Sequence, residues 1–348
     1  MAQPDRSSVR VAVNGYGVIG KRVADAVAQQ DDMTLAGVSD IGTDWRLRVV
    51  NSRGYPLYGA TAEYADAMRG VKMDVKGTLE DLLKEADVIV DCTPKRVAAK
   101  NVPRYRERGL KFIVQGGEKH EVTGHSFVAE ANYAGAVGRD ATRVVSCNTT
   151  SIVRTLGALK RAGLLRKARG TLLRRATDPW ESHQGGIMNT LVPEETIPSH
   201  QAPDARSVDP GLDVVTMAVD VPETIAHLHY WSVQLTRAPS KAEVLDAFRS
   251  SSRIALIRMS DGLSALNTVK EMMADMRRPH DNLYEVALWE DMLTVKEDEA
   301  FYAYMVDNQA IVIPETIDAI RALTGKLADG AKSIAKTDAA LGIGAIFK

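Results

Sequence analysis

Cys147 is the residue whose setting in the sequence best suits a nucleophile. It lies in "SCNTTS", between the apolar run "RVV" and a helical pattern that we predict to begin at Asn148 or Thr149. A thiol beside a helix N-terminus meets the positive end of the helix dipole, which lowers its pKa and favours the thiolate. Thr149 can cap that helix. A small buried core residue is the alternative that this context leaves open, and Cys92, ending the predicted strand "DVIVDC", suits it better.

A nucleophilic thiol needs a base, and the pair His227 and His229 in "IAHLHYW" supplies candidates. On a strand these two side chains share one face. Such a pair also suits a metal, but no third ligand stands at a suitable spacing, so we expect no metal site. A histidine held by a hydrogen bond within a sheet is the structural alternative.

The segment Gly15-Tyr16-Gly17-Val18-Ile19-Gly20 matches G-x-G-x-x-G, directly after a predicted strand and at the start of a predicted helix. That context is typical of a dinucleotide-binding turn, in which the glycines allow a tight turn and close approach of a pyrophosphate. The free N–H groups of the helix start would hold the phosphates. Asp40 closes the second predicted strand, where a carboxylate accepts from the ribose 2′-OH and repels a 2′-phosphate, so we predict NAD rather than NADP.

These residues must be positioned by two different kinds of sheet. Up to Cys147, strands such as 9–15, 34–39, 87–92, 111–115 and 143–146 alternate with helices, which predicts a parallel sheet covered on both faces. Beyond Cys147, strand patterns follow one another more closely, which predicts an α+β domain with a mixed or antiparallel sheet. The segment 178–209 lacks periodicity, and a loop of that length indicates either a functional segment or a missed element. Helical spacing returns from Pro314 to about Leu341.

Composition limits the classes of protein that need considering. The chain has 348 residues, 45% hydrophobic and 26% charged, with a formal net charge of −1 and two cysteines. A near-neutral chain without a basic stripe is a poor partner for nucleic acid or an anionic membrane. The sequence shows neither a secretory signal, a membrane-spanning apolar run nor a disulfide framework, so we expect a cytoplasmic protein.

Several motifs together resemble the archaeal-type (type II) glyceraldehyde-3-phosphate dehydrogenases: "VAVNGYGVIGKRVADAVAQQDDM", "DCTP", "VQGGEKHEV", "RVVSCNTT", "RRATDP" and "HLH". The similarity runs from about Val9 to Leu341. It implies an N-terminal Rossmann domain (1–146), completed by a C-terminal helix (about 314–348), and a catalytic domain (147–313). It also implies a homotetramer that acts on a small aldehyde and inorganic phosphate.

The resemblance assigns roles to individual residues. Cys147 is implied as the nucleophile and His227, the first histidine of "HLH", as the general base. The expected cofactor-binding residues are Gly15, Gly17, Val18, Ile19, Gly20, Asp40, Thr93, Gly117, Arg175 and Asn308. The expected substrate-binding residues are Ser146, Asn148, Thr149, His200, Gln201 and Ala202.

Three departures from the family pattern affect these assignments. Asp40 stands where relatives often carry a lysine, which supports NAD. The family's "SHHGPD" is "SHQAPD" here, so Gln201 and Ala202 replace a His-Gly pair associated with the substrate phosphate. Asn308 replaces a glutamine in "HQES", and its amide makes the same hydrogen bonds with a shorter reach. The same thiol chemistry on a different aldehyde, and an NAD-binding regulatory protein on this scaffold, therefore stay as alternatives.

Overall fold

Alternation of strands and helices in the first part of the chain builds a parallel sheet. The computed structural model describes residues 8–179, 183 and 188–344, and they fall into two compact units. One comprises residues 1–145 with 313–341, and the other comprises residues 146–312 with 342–348. Among the described residues, no helix combines the length and apolar character that crossing a bilayer requires.

The first unit contains eight described strands. They are β1 (Val9–Asn14), β2 (Met33–Asp40), β3 (Leu57–Gly59), β4 (Val75–Thr78), β5 (Val88–Asp91), β6 (Lys111–Val114), β7 (Ser126–Phe127) and β8 (Ala141–Val144). Every pairing is parallel, in the order β4-β3-β2-β1-β5-β6-β8-β7. The strand order reverses between β1 and β5, and a crevice opens at such a point above the carboxyl ends of the strands. The Rossmann-type parallel sheet predicted from the sequence is therefore confirmed.

Six helices connect these strands: α1 (Val18–Ala28), α2 (Trp45–Ser52), α3 (Ala62–Gly70), α4 (Leu79–Glu85), α5 (Ala98–Glu107) and α6 (Ala129–Ala136). The first buries Val23 and Val27 completely, as its helical spacing predicts. The fourth begins at a capping box, in which the Asp81 carboxylate accepts from the Thr78 backbone N–H at 3.0 Å.

The second unit combines a mixed sheet with fewer helices. Its strands are β9 (Leu165–Arg175), β10 (Val192–Pro193), β11 (Val214–Val221), β12 (Ala226–Leu235), β13 (Ile254–Ile257), β14 (Val286–Trp289), β15 (Thr294–Lys296) and β16 (Glu299–Asp307). The order is β10-β11-β9-β12-β16-β14-β13, with β15 paired to β16. Its described α-helices are α7 (Cys147–Arg161), α8 (Gln201–Val208), α9 (Lys241–Arg249) and α10 (Leu266–Asp275). Parallel and antiparallel pairs both occur, as expected.

The chain ends in two described helices, α11 (Val312–Thr324) and α12 (Gly330–Leu341), where we predicted one. The break between them begins at Gly325. Its φ of 67° is a left-handed conformation that glycine adopts at little cost. In the first unit Arg321 is fully buried, and its guanidinium donates to both oxygens of Asp32 at 2.9 Å. It also bonds Gln30 at 2.7 Å and Thr337 at 2.6 Å. These bonds tie both C-terminal helices to the segment between α1 and β2.

The segment 178–209, for which either a functional segment or a missed element was expected, contains a missed element among its described residues, the helix Gln201–Val208. Only about two turns long, it has Pro203 in its first turn, where a missing N–H costs little, and this short length hides its pattern. The strand predicted at 143–146 is Ala141–Val144, because the chain has already turned into the cap of α7 at Ser146.

Candidate active site

The glycine turn of the first unit has the geometry that its motif predicts. Gly15 has a φ of 93°, a left-handed conformation that favours glycine. A Cβ at Gly20 would overlap the carbonyl oxygen of Gly15, so helix and turn pack together only without a side chain there. A Cβ at Gly17 would meet nothing within 4 Å, which leaves the turn open to a ligand. Val18 and Ile19 begin α1, and their N–H groups lack intrahelical partners. This cradle fits a pyrophosphate.

Asp40 ends β2 beside that turn. Its Oδ2 accepts from the Tyr16 backbone N–H at 2.7 Å, and its Oδ1 accepts from the N–H groups of Ile41 and Gly42 at 2.7 and 2.8 Å. The carboxylate is half-buried and keeps lone pairs for one further donor, such as a ribose hydroxyl. Its orientation is set by the glycine turn itself.

Thr93 and Gly117 follow β5 and β6, so they lie at the same carboxyl edge of the sheet. The N–H and hydroxyl of Thr93 donate to the buried Asp91 carboxylate at 3.0 and 2.5 Å. A Cβ on Gly117 would stand 3.5 Å from the side chain of Lys95, so these two turns are neighbours. Strand ends that adjoin in the order β2-β1-β5-β6 thus gather Asp40, the glycine turn, Thr93 and Gly117 along one edge, which fits a dinucleotide.

In the second unit Cys147 is the first residue of α7. Ser146 is the N-cap, with φ −64° and ψ 162°, and its hydroxyl accepts from the Thr149 backbone N–H at 3.3 Å. The helix therefore begins one residue earlier than predicted, and the cap is Ser146 rather than Thr149. The sulfur stands at the helix start, as the sequence indicated.

His227 is the imidazole that contacts this sulfur. It lies on β12, with its Nε2 3.2 Å from the Cys147 Sγ, and the residue is 4% exposed. Its Nδ1 accepts from the Arg175 backbone N–H at 3.0 Å. Because Nδ1 is the acceptor, the neutral ring carries its proton on Nε2 in this arrangement. The ring of His229 shares this face of β12, at a centroid distance of 6.4 Å from that of His227.

Burial dominates the protonation of the pair. It raises the pKa of the Cys147 thiol to about 11, although the positive charge of Arg175 and the Asn148 backbone N–H lower it. Burial, with the neighbouring His229 and Arg175, lowers the pKa of His227 well below its usual value. The expectation that the helix end leaves a low thiol pKa is therefore wrong for this structure, because desolvation of the thiolate outweighs the favourable dipole. The resting pair is a neutral thiol beside a neutral imidazole.

Arg175 and Asn308 meet through a residue that the sequence reasoning missed, Asp178. Its Oδ2 lies 3.5 Å from the Arg175 guanidinium, and its Oδ1 accepts from Asn308 Nδ2 at 2.9 Å. The Asn308 Oδ1 and the Arg175 Nε are buried without a partner among the described residues. Unsatisfied buried groups of this kind fit a polar ligand, for which the nicotinamide carboxamide is a chemical match. The signal was present, because Asp178 belongs to the quoted motif "RRATDP".

Not all of the remaining residues expected to bind substrate direct their side chains toward Cys147. Gln201 and Ala202, in the first turn of α8, are fully buried, and the Gln201 Nε2 has no hydrogen-bond partner among the described residues, so their substrate role stays a prediction. His200 is exposed, and its Nδ1 lies 2.8 Å from Glu194. Thr149 is fully buried and donates to Asp204 on α8 at 2.7 Å. The replaced pair in "SHQAPD" therefore packs inward.

A dinucleotide-type turn on a parallel sheet, together with a thiol and imidazole in contact, defines a class of oxidoreductase that forms a covalent intermediate on cysteine. Residues 146–291 match the glyceraldehyde 3-phosphate dehydrogenase C-terminal domain, and residues 9–123 match the dihydrodipicolinate reductase N-terminus. The chain is 45% identical over 337 residues to the glyceraldehyde-3-phosphate dehydrogenase of Metallosphaera sedula, covering 97% of this chain and 98% of that one.

Two further relatives agree. The glyceraldehyde-3-phosphate dehydrogenase of Methanobrevibacter smithii is 43% identical over 335 residues, and that of Thermococcus kodakarensis is 42% identical over 335 residues. Each alignment covers 96% of this chain and 99% of the relative. The chain belongs to the glyceraldehyde-3-phosphate dehydrogenase family.

Proposed function

We propose that this protein oxidises glyceraldehyde 3-phosphate to 1,3-bisphosphoglycerate, with inorganic phosphate as co-substrate and NAD as cofactor. The observation that carries the proposal is the 3.2 Å contact between Cys147 Sγ and His227 Nε2 at the start of α7. A thiol with a proton-transfer partner can hold an aldehyde covalently and keep the energy of its oxidation in a thioester.

Cys147 acts as the nucleophile in this proposal. Cys147 gives up its thiol proton, the thiolate adds to the aldehyde carbon, and a C–S bond forms while the carbonyl π pair moves onto oxygen, which takes up a proton to become the hydroxyl of a hemithioacetal. His227 then takes the hydroxyl proton at Nε2 as hydride leaves the carbon, which produces a thioester on Cys147. A bound nicotinamide supplies the hydride acceptor. An oxygen of inorganic phosphate attacks the thioester, the C–S bond breaks, and the thiolate is regenerated with the acyl phosphate.

The hydrogen bond that the Arg175 backbone N–H donates to Nδ1 limits when His227 can act as a base. Nε2 accepts a proton only when it is unprotonated, whereas the Arg175 N–H at Nδ1 favours the form with its proton on Nε2. We therefore infer that His227 gives up this bond when it acts as base. In the form that the structure holds, its Nε2–H instead donates toward the sulfur or toward a negatively charged substrate oxygen.

The preference for NAD over NADP rests on Asp40 and its surroundings. A 2′-phosphate would meet the negative charge of this carboxylate. The Arg46 guanidinium interacts electrostatically with Asp40 and could offset such a charge, but it is paired with Asp44, with an Nη2–Oδ2 distance of 2.6 Å. This ion pair supports the proposal, because Arg46 is already neutralised.

We also propose that the protein is a cytoplasmic homotetramer. Both cysteines are free thiols, which agrees with a reducing compartment. On the second unit's sheet, Tyr230 of β12 and Met217 of β11 pair with the same residue of β9, so they share a face, and each is more than 40% exposed. Burial of such apolar side chains against another copy would stabilise an oligomer. Light scattering after size exclusion tests this, and a monomer at micromolar concentration would refute it.

A steady-state assay tests the reaction itself. The purified protein is given NAD, phosphate or arsenate, and either glyceraldehyde 3-phosphate or a panel of other aldehydes, while absorbance follows the reduced cofactor. We expect turnover with the triose phosphate that requires phosphate or arsenate. Turnover confined to another aldehyde would favour the alternative to which the inward packing of Gln201 and Ala202 lends weight. A Cys147→Ser variant is the control, and it should lose activity.

A further inference from the structure

His229, the second histidine of "HLH", has no part in the chemistry proposed above. It is fully buried, and burial, with the charge of Arg174, lowers its pKa to about 3. The ring is therefore neutral at the pH values at which enzymes work. A buried neutral imidazole has one donor and one acceptor, and both are used here.

The two ring nitrogens of His229 join Asn148 to Tyr304. Nε2 lies 2.8 Å from Asn148 Oδ1, and Nδ1 lies 3.0 Å from the Tyr304 hydroxyl. Because the amide oxygen only accepts, the His229 Nε2–H is the donor, and the neutral Nδ1 accepts from the Tyr304 O–H. The result is a directional chain of hydrogen bonds from Tyr304 through His229 to Asn148. Tyr304 and His229 also pack ring against ring, with centroids 5.0 Å apart, which restricts both rotamers.

Asn148, at the end of this chain, directly follows the nucleophile. Its backbone N–H lowers the pKa of the Cys147 thiol, so this residue already interacts with the sulfur. The side chain's Oδ1 is committed to His229, whereas its Nδ2 makes no hydrogen bond to any residue that the structure describes. The residue is 7% exposed. An amide fixed by its oxygen in this way has its two N–H donors left for a ligand beside Cys147.

We propose that His229 is a positioning residue that holds the Asn148 carboxamide so that its Nδ2 donates to the oxygen on the carbon bonded to Cys147. This inference rests on the proposed function for the identity of the nucleophile. In the addition step a C–S bond forms, the carbonyl π pair moves onto oxygen, and the Nδ2–H stabilises the resulting negative charge. When that pair returns, the leaving group departs, and the donor relaxes to an ordinary hydrogen bond.

Acylation by an activated ester tests this without a cofactor or an aldehyde. In the reaction with p-nitrophenyl acetate, the Cys147 thiolate adds to the ester carbonyl and expels p-nitrophenolate, whose absorbance gives the rate. We expect Asn148→Ala to slow acylation about 100-fold, the loss typical of one missing oxyanion donor. His229→Phe, which removes the bond to Oδ1, should slow it at least about tenfold. The double variant should acylate no more slowly than Asn148→Ala, because both substitutions remove the same function, the donation by Asn148 Nδ2.

Rescue and control variants separate positioning from packing. His229→Gln keeps an N–H donor for Asn148 and should recover most of the rate that His229→Phe loses. Val233→Ala is the control. Val233 lies on β12 on the same face as His229, is fully buried and takes no part in the hydrogen bonds from Tyr304 to Asn148, so the change should lower the melting temperature and leave acylation unchanged. Melting curves and a saturation plot against ester concentration accompany each variant, because a positioning defect lowers the maximal rate more than it raises KM.

Three results would overturn the inference: additive losses in the double variant, equal rates for His229→Phe and the parent, or no rescue by His229→Gln in a folded protein. In the steady-state oxidation assay, an effect of Asn148→Ala confined to the KM for inorganic phosphate would assign the amide to the phosphate instead. That result would also overturn the inference. If the parent acylates normally but does not oxidise glyceraldehyde 3-phosphate, the proposed substrate fails while this inference stands. If the parent ester reaction does not modify Cys147, the nucleophile itself is wrong.

Discussion

Replacing His227 by residues that donate but do not accept protons tests its proposed role directly. Glutamine places an amide N–H2 close to the position of the imidazole Nε2, 3.2 Å from Cys147 Sγ, and it cannot take up a proton at neutral pH. Asparagine is shorter and reaches the Nδ1 side, where the Arg175 N–H lies, and alanine provides neither group.

A general base contributes roughly 10²- to 10⁴-fold to the rate, or about 3–5 kcal/mol of barrier. If His227 must accept the hemithioacetal proton, glutamine, asparagine and alanine should therefore all reduce kcat by a similar factor in this range. The assay is single-turnover formation of the reduced cofactor by stopped flow, with the melting temperature of each variant measured alongside. Because the loss lies in the oxidation step, KM for the aldehyde should change far less than kcat.

The contrary outcome is equally specific. If His227→Gln keeps kcat within about tenfold of the parent while His227→Ala loses 10²-fold or more, an N–H donor at the Nε2 position is sufficient. The assignment of His227 as base would then be wrong. The working form would be the one that the Arg175 amide favours, with the proton held on Nε2 and donated to a charged sulfur or oxygen.

Three other predictions follow from charge and burial. Because the pKa of Cys147 is raised to about 11, its thiolate fraction, and so its alkylation by iodoacetamide, should rise about tenfold per pH unit from pH 7 to 10, followed by mass spectrometry; a plateau below pH 9 would contradict this. Asp40→Lys should shift the ratio of kcat/KM values toward NADP, and the shift should grow when Asp44→Ala removes the carboxylate paired with Arg46; an unchanged ratio would exclude a ribose contact. Arg321→Met should lower the free energy of unfolding by about 3–5 kcal/mol in urea titrations, because it removes both short hydrogen bonds to the Asp32 carboxylate and leaves it, among the described cations, only the 3.7 Å contact with Lys336. Burial opposes ionisation of Asp32, but Arg321 holds its pKa below the ordinary value, so this stabilisation is present above about pH 4 and is lost on further acidification; an Arg321→Met variant as stable as the parent would contradict it.

Local patterns predicted the parts of this protein that local physics decides. The glycine turn was recognisable because a positive φ at Gly15 and the overlap at Gly20 exclude other residues. Alternating strands and helices gave the parallel sheet, and closely spaced strands gave the mixed one. The contact between Cys147 and His227 joins residues 80 positions apart in the chain, so it followed from the family resemblance rather than from spacing.

Predictions that depended on tertiary surroundings were less successful. The pKa of Cys147 is set by how much protein covers the sulfur, which the helix start does not reveal. Asp178 contacts Arg175, three residues before it, and Asn308, 130 residues after it, and the second contact depends on how β9 and β16 are placed in the sheet. In "SHQAPD", the burial of Gln201 depends on how α8 packs, which the motif does not reveal, and the residue is fully buried.

The buried hydrogen bonds of Arg321 affect when the first unit can fold during synthesis on the ribosome. Residues up to 145 leave the exit tunnel early. The C-terminal segment of this unit, residues 313–341, carries Arg321 and begins 168 residues later in the chain (313 − 145). At synthesis rates of roughly 5–20 residues per second, that interval is about 8–34 s. During it the parallel sheet lacks the partners of Asp32 and the apolar cover of α11, whose Ile317 and Ile320 are fully buried in the finished chain. We therefore expect the nascent first unit to complete its folding only once α11 and α12 have been synthesised.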